Sequence, residues 1–201
     1  MKKLTLSTLS AVTLSLACTS VFANGTITIN GVVTDETCTL TGDGPGASGS
    51  KALTLTLDTV PKSTFTAPNS VAAIKSFSLQ LKNAAGTAGC DAATNKALKG
   101  LYLSPLNPGD LDTANKTLLV NKAGGTTNAA ELAFVQILTE GGVAVDLAAS
   151  ATDQAKSPVT GLDANGAGIA TMKYQAQYFS KTGTVAAQNV SAVVNYTLQY
   201  N

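Results

Sequence analysis

The sequence contains no histidine, no tryptophan and no arginine, and its thirteen basic residues are all lysine. Without histidine there is no Ser-His-Asp or Cys-His pair and no H-E-x-x-H metal helix. Without arginine the commonest bidentate contact to guanine is missing, and with it the planar fork that best grips phosphate. Without tryptophan a sugar-binding surface loses its strongest stacking platform. Charged residues make up 12% of the chain, and the formal net charge is +1. That is no electrostatic footprint for nucleic acid. These absences argue against an enzyme and a nucleic-acid partner, and no residue pattern nominates a catalytic centre, a cofactor or a metal. What is abundant is Ala, Thr, Val and Gly, which suits a packed, exported β protein.

The first residues set the compartment. Lys2 and Lys3 form a positive head, Leu4–Ala17 is an apolar stretch diluted by Ser and Thr, and Val21-Phe22-Ala23 places small residues at −3 and −1 of a cleavage site. This pattern predicts a secretory signal peptide over residues 1–23, removed on export. The apolar stretch is too short and too polar for a membrane span. Cys18 follows Leu16-Ala17, but Ser15 stands where a lipidation site wants an aliphatic residue, so Cys18 is expected to leave with the leader. Cleavage after Ala17 is the less favoured alternative. Residues 24–201 are enough for one domain with its own core. They carry one acid more than they have lysines.

Two cysteines remain, Cys38 and Cys90. An exported chain with an even cysteine count usually pairs them, and their separation is wrong for a zinc cluster. One structural disulfide is expected.

Successive side chains of a strand point to opposite faces. At the C-terminus Val190, Ala192, Val194, Tyr196, Leu198 and Tyr200 share one face and Ser191, Asn195, Thr197 and Gln199 the other, with Val193 the exception. This predicts a half-buried strand with nothing after it but Asn201 to cover its edge. Open strand edges recruit other chains. Similar short runs recur upstream: Leu53, Leu55 and Leu57; Phe77, Leu79 and Leu81; Leu98–Leu103, ended by Pro105; Leu118–Val120; Leu132–Leu138, turned by Gly141-Gly142 into Val143-Ala144-Val145; and Gly168–Phe179. Regular short strands between Gly, Pro and Asn turns argue for an antiparallel sandwich or barrel. No convincing amphipathic helix is visible, although Ala148–Ala155 could form a helical turn.

Three motifs carry no chemistry. Thr41–Ser50, rich in glycine, lacks a Walker lysine and a following helix, so it is expected to be a flexible connector. Asp110-Leu111-Asp112 faintly resembles a calcium loop, but Ala114 and Lys116 stand where oxygen ligands and glycine belong. Asp163-Ala164-Asn165-Gly166 reads as a hairpin turn.

Taken together, the leader, Gly25-x-Ile27-x-Ile29-x-Gly31-x-Val33 leading into Cys38, Phe77-x-Leu79-x-Leu81 ahead of Cys90, Tyr174-x-Ala176-x-Tyr178 and the terminal Asn195-Tyr196-Thr197-Leu198-Gln199-Tyr200 resemble the chaperone–usher pilins. The closest likeness within that family is to type 1-like fimbrial major subunits, and it covers essentially all of residues 24–201. The sequence departs from the family in three places. The stretch before Cys38 is short, Lys82–Gly89 is interposed between the Phe77 strand and Cys90, and Gln188 replaces a frequent glycine.

The resemblance implies an all-β, incomplete immunoglobulin-like sandwich that lacks its final strand and is completed by donor-strand exchange. A periplasmic chaperone lends a strand first, and the N-terminal extension of the next subunit replaces it, a known instance of strand addition. It implies a structural subunit of an adhesive fimbria. The expected partners are identical subunits in a head-to-tail filament, a periplasmic chaperone, an outer-membrane usher, and tip adhesin or adaptor subunits. The expected destination is the cell surface, reached through the periplasm. Asn24–Val33 has the form of a donor, with Ile27, Ile29, Gly31 and Val33 on one face. Alternatively, Ile27–Val33 is this subunit's own first strand. Val190, Ala192, Val194, Tyr196, Leu198 and Tyr200 are the expected wall of the acceptor groove and the chaperone-binding strand. A minor or adaptor pilin, or a monomeric secreted β-sandwich that binds another molecule, remains as an alternative reading.

Overall fold

The computed structural model describes residues 38–44, 47–124 and 128–201. The expected signal peptide, residues 1–23, and the expected donor residues Ile27, Ile29, Gly31 and Val33 lie outside them. Among the described residues no helix is long and apolar enough to cross a membrane.

The chain forms β1 (Thr39–Asp43), β2 (Ala47–Ser50), β3 (Ala52–Leu55), β4 (Ser70–Lys82), α1 (Ala92–Ala97), β5 (Leu98–Pro105), β6 (Leu118–Val120), β7 (Phe134–Thr139), β8 (Thr160–Leu162), β9 (Gly168–Ser180) and β10 (Val194–Tyr200). All the pairings are antiparallel. Among the described residues one sheet has eight strands, in the order β3-β2-β1-β4-β9-β7-β6 with β8 also on β9, and the other holds β10 and β5. The fold is an all-β antiparallel sandwich with a curled larger sheet.

The alternating sequence runs explain the core. Leu79 and Leu81 of β4, Leu101 and Leu103 of β5, and Ala170, Met172 and Tyr174 of β9 point inward into one buried cluster. Ala192, Val194, Tyr196 and Leu198 pack against that cluster while remaining half-buried. The ring of Phe77 lies against that of Tyr174, with centroids 6.2 Å apart.

The disulfide expected between Cys38 and Cys90 is present, with Cα atoms 6.0 Å apart. Lys82–Gly89, an interruption in the sequence pattern, is a tight reversal. Lys82 pairs with Gly89, and Asn83 N–H donates to the Ala88 carbonyl. This brings Cys90 back beside the end of β4, where β1 begins opposite Lys82. A Cβ on Gly89 would sit 1.7 Å from the Gly168 carbonyl oxygen, so only glycine fits that approach.

Three local expectations need correction. Thr41–Ser50 is not a flexible connector over its described residues: it supplies most of β1 and all of β2, whose backbones pair with β4 and β3. Its glycines accommodate close strands, and tertiary pairing overrides the turn-like composition. The helix lies at Ala92–Ala97, not in Ala148–Ala155, which forms hydrogen-bonded turns. Asp91 starts the helix by accepting from Thr94 N–H at 2.9 Å, an N-cap contact. The terminal strand is regular only from Val194, because residues 190–193 make no ladder with β5. The half-buried, exposed alternation nevertheless runs from Val190 to Leu198.

The disulfide closes a long loop, with its cysteines 52 residues apart. Replacing both cysteines by alanine is expected to lower the unfolding free energy in urea by about 4 kcal/mol, the chain-entropy value for a loop of this size.

Candidate functional site

Two strands cannot cover the inner face of a sheet of eight, and the uncovered part is a groove of about 950 Å³. One wall is Val190–Val194 with Tyr196. The facing wall is Leu53–Leu57 with Thr59–Lys62. The floor is apolar: Phe77 and Leu79 from β4, Leu103 from β5, Ile137 from β7 and Tyr174 from β9. Each wall includes part of an edge strand: among the described residues β10 pairs with β5 alone, and β3 ends the path of the larger sheet. Residues 190–193 and 56–61 carry the walls beyond these ladders. A strand edge without a neighbour can pair with another extended chain.

Val190, Ala192, Val194 and Tyr196, all singled out from the sequence, line this groove together. Leu198 and Tyr200 do not. Leu198 packs on the main core, and Tyr200 is 39% exposed at the strand's end. Sequence periodicity gives the shared face but not where along it the groove stops. Val193, the exception to the alternation, is 56% exposed and points away from the core. Burial pushes the Tyr200 hydroxyl pKa up, and the negative charge of Asp91 adds to the shift.

No local sequence pattern signals how the first wall is held. Asn121, 8% exposed, does this from the segment after β6. Its amide donates to the Asn189 carbonyl at 2.6 Å and to Gln188 Oε1 at 2.9 Å. Its carbonyl oxygen accepts from Ser191 N–H at 2.9 Å. Lys122 N–H donates to the Ser191 carbonyl at 2.8 Å. Gln188, where the family often has glycine, adds bonds to the carbonyls of Glu131 and Ala186. Its side chain therefore does a structural job that glycine could not. On the facing wall the Lys75 ammonium donates to the Thr56 carbonyl and pairs with Asp58.

The acids of Asp110-Leu111-Asp112 are engaged by lysines. Asp110 lies 2.8 Å from Lys122 Nζ and Asp112 lies 2.8 Å from Lys181 Nζ. Among the described residues no group of three or more His, Cys, Asp or Glu side chains is placed to hold a metal. Burial works against the Asp112 charge. The Lys181 ammonium and the N–H groups of Asn115 and Ala114 outweigh it and hold the carboxyl below its ordinary value of 3.8. A depressed carboxylate stabilises the fold fully above its unfolded pKa, and that contribution is lost as pH falls through the folded value. The urea midpoint is therefore expected to fall between about pH 5 and pH 2, and to fall less steeply in Asp112→Asn.

Replacing Asn121 by alanine leaves the Asn189 carbonyl and the Ser191 N–H without their partner. The expected loss is about 1–3 kcal/mol in urea unfolding, with faster hydrogen exchange at Ser191.

No protein-family profile matches the chain. The chain is 33% identical over 180 residues to the F17 fimbrial protein of Escherichia coli, covering 88% of this chain and 87% of that one. It is 28% identical to the major fimbrial subunit SMF-1 of Stenotrophomonas maltophilia (strain K279a), covering 89% and 94% respectively. It is 29% identical to the minor fimbrial subunit HifD of Haemophilus influenzae, covering 89% and 74%. Among solved structures, the P pilus rod subunit PapA aligns with a TM-score of 0.49 and 19% identity, over 88% of this chain and 100% of that one.

Proposed function

Since this chain belongs to the chaperone–usher pilin family of fimbrial subunits, we propose that it is a structural subunit of an adhesive surface fibre, joined to its neighbours by donor-strand exchange. The observation that carries this reading is the apolar groove flanked by β10 and β3, each at the edge of its sheet among the described residues. An extended segment with apolar residues at every second position satisfies such a site twice over. Its backbone completes the ladder, and its side chains fill the floor. Asn24–Val33 of a neighbouring copy has that form, through Ile27, Ile29, Gly31 and Val33. Each buried isoleucine contributes about 1.5–3 kcal/mol, so a few positions and a ladder make a durable joint. Head-to-tail donation is heterologous and does not close on itself, so it produces a filament.

In this reading a periplasmic chaperone occupies the groove until the usher passes the subunit into the fibre, with tip or adaptor subunits at its end. Val190, Ala192, Val194, Tyr196, Leu198 and Tyr200 form the strand these partners meet. Residues 1–23 direct export, and residues 24–201 form the mature pilin. The function is mechanical and adhesive, with no catalytic step. The likeness to a minor fimbrial subunit gives a second reading, in which the same groove serves a low-copy subunit. Subunit stoichiometry in purified fibres separates the two.

Surface material run in SDS without heating is expected to give a ladder that collapses to one band on boiling. A monomer in both lanes, from soluble protein stable without a chaperone, overturns the proposal. Deleting Asn24–Ile29 is expected to abolish polymer while leaving a chaperone-bound subunit. Fibres that persist after the deletion refute the donor assignment.

A further inference from the structure

We propose that Tyr196 is the end-stop of the groove and so sets the register in which a donor strand seats. This rests on the donor-strand reading above and adds a positioning residue to it. Tyr196 lies on the groove face of β10. Its hydroxyl donates to the Lys51 carbonyl at 2.9 Å, next to the first residue of β3 on the opposite side. Lys51 stands in the turn between β2 and β3 with φ at 64°, a left-handed conformation costly for lysine. The acceptor is a backbone atom, fixed by the flanking Ser50–Ala52 pair and not by a mobile side chain. Burial pushes the Tyr196 hydroxyl pKa up, so the group stays protonated and remains a donor.

A second observation agrees with a barrier at this position. The contribution of β10 to the groove ends at Tyr196, while Leu198 continues the same face into the closed core. A donor running along the free edge meets the ring there. The segment that leads to it lines the groove without a break from Val185 to Val194, up to about 33 Å at about 3.3 Å per residue. Asn24–Val33, fully extended at the same rise, is about 33 Å long. The groove therefore has room for the series Ile27, Ile29, Gly31 and Val33, and Tyr196 fixes the end at which that series stops.

Hydrogen exchange on assembled fibres tests this, read by mass spectrometry over residues 24–33. In the wild-type fibre, slow exchange is expected over one continuous stretch of these residues that ends at a fixed position. Tyr196→Phe keeps the ring and releases the clasp; Tyr196→Val removes the ring and keeps a strand-forming residue. In both, the protected stretch is expected to lengthen by about two residues, one further same-face position, and either variant alone suffices if the other does not fold. A protected stretch of the same length in wild type and variants overturns the end-stop but leaves donor exchange standing. Fibres with no protection anywhere in residues 24–33 overturn the donor reading itself, and the end-stop with it.

Discussion

The structure depends on a mismatch in sheet size. Eight strands curl round a core that β5 and β10 cover only in part. Completing the cover within one chain would need another strand beside β10. Instead Phe77, Leu103, Ile137 and Tyr174 line the floor of a groove between two edges. Apolar surface in that arrangement favours burial by an extended segment over burial by a compact one, because the edges supply donors and acceptors only in strand spacing. One deficit thus accounts for both the apolar lining and the open backbone.

Much of this is legible in the sequence. β4 and β9 follow from alternation, β5 and β7 from short apolar runs bounded by turn residues, and the half-buried face of the terminal segment from alternation again. The parts that escape it depend on partners distant in sequence. β1 and β2 look like linker because their glycines and polar residues carry little pattern; their pairing with β4 and β3 decides their state. The helix at Ala92–Ala97 is too short to show a period. Within the groove, the residues facing it were readable but its limits were not. Tyr196 meets Lys51 across 145 residues of chain, and Asn121 meets Ser191 across 70. No local pattern encodes either meeting.

A chain so poor in charge must satisfy its buried polar groups by other means, and it uses carboxamides. The Asn95 amide, 1% exposed, donates to the carbonyls of Cys90, Gly166 and Gly168, tying α1 to the turn before β9. Gln154 brackets Leu103, accepting from its N–H and donating to its carbonyl, both at 2.8 Å. Gln177 donates to Gln136 between β9 and β7. Neutral amides offer donor and acceptor together at a lower desolvation cost than ions. They give a sparsely charged sandwich its fixed geometry, and Asn121 extends the same device to the groove wall.

The disulfide has a mechanical meaning as well. Cys38 directly precedes β1, and its partner Cys90 follows the reversal at the end of β4. A pull on the chain ahead of Cys38 reaches β1 and, through the sulfur bridge, the segment after β4 at the same time. β1 then cannot be peeled from β4 one pair at a time starting at Thr39, because its leading end is bolted beside Lys82. Tension arriving there is spread along a long central strand, and the antiparallel ladder bears it in shear. The covalent bond thus makes the leading end of β1 one of the hardest places to begin unravelling the domain.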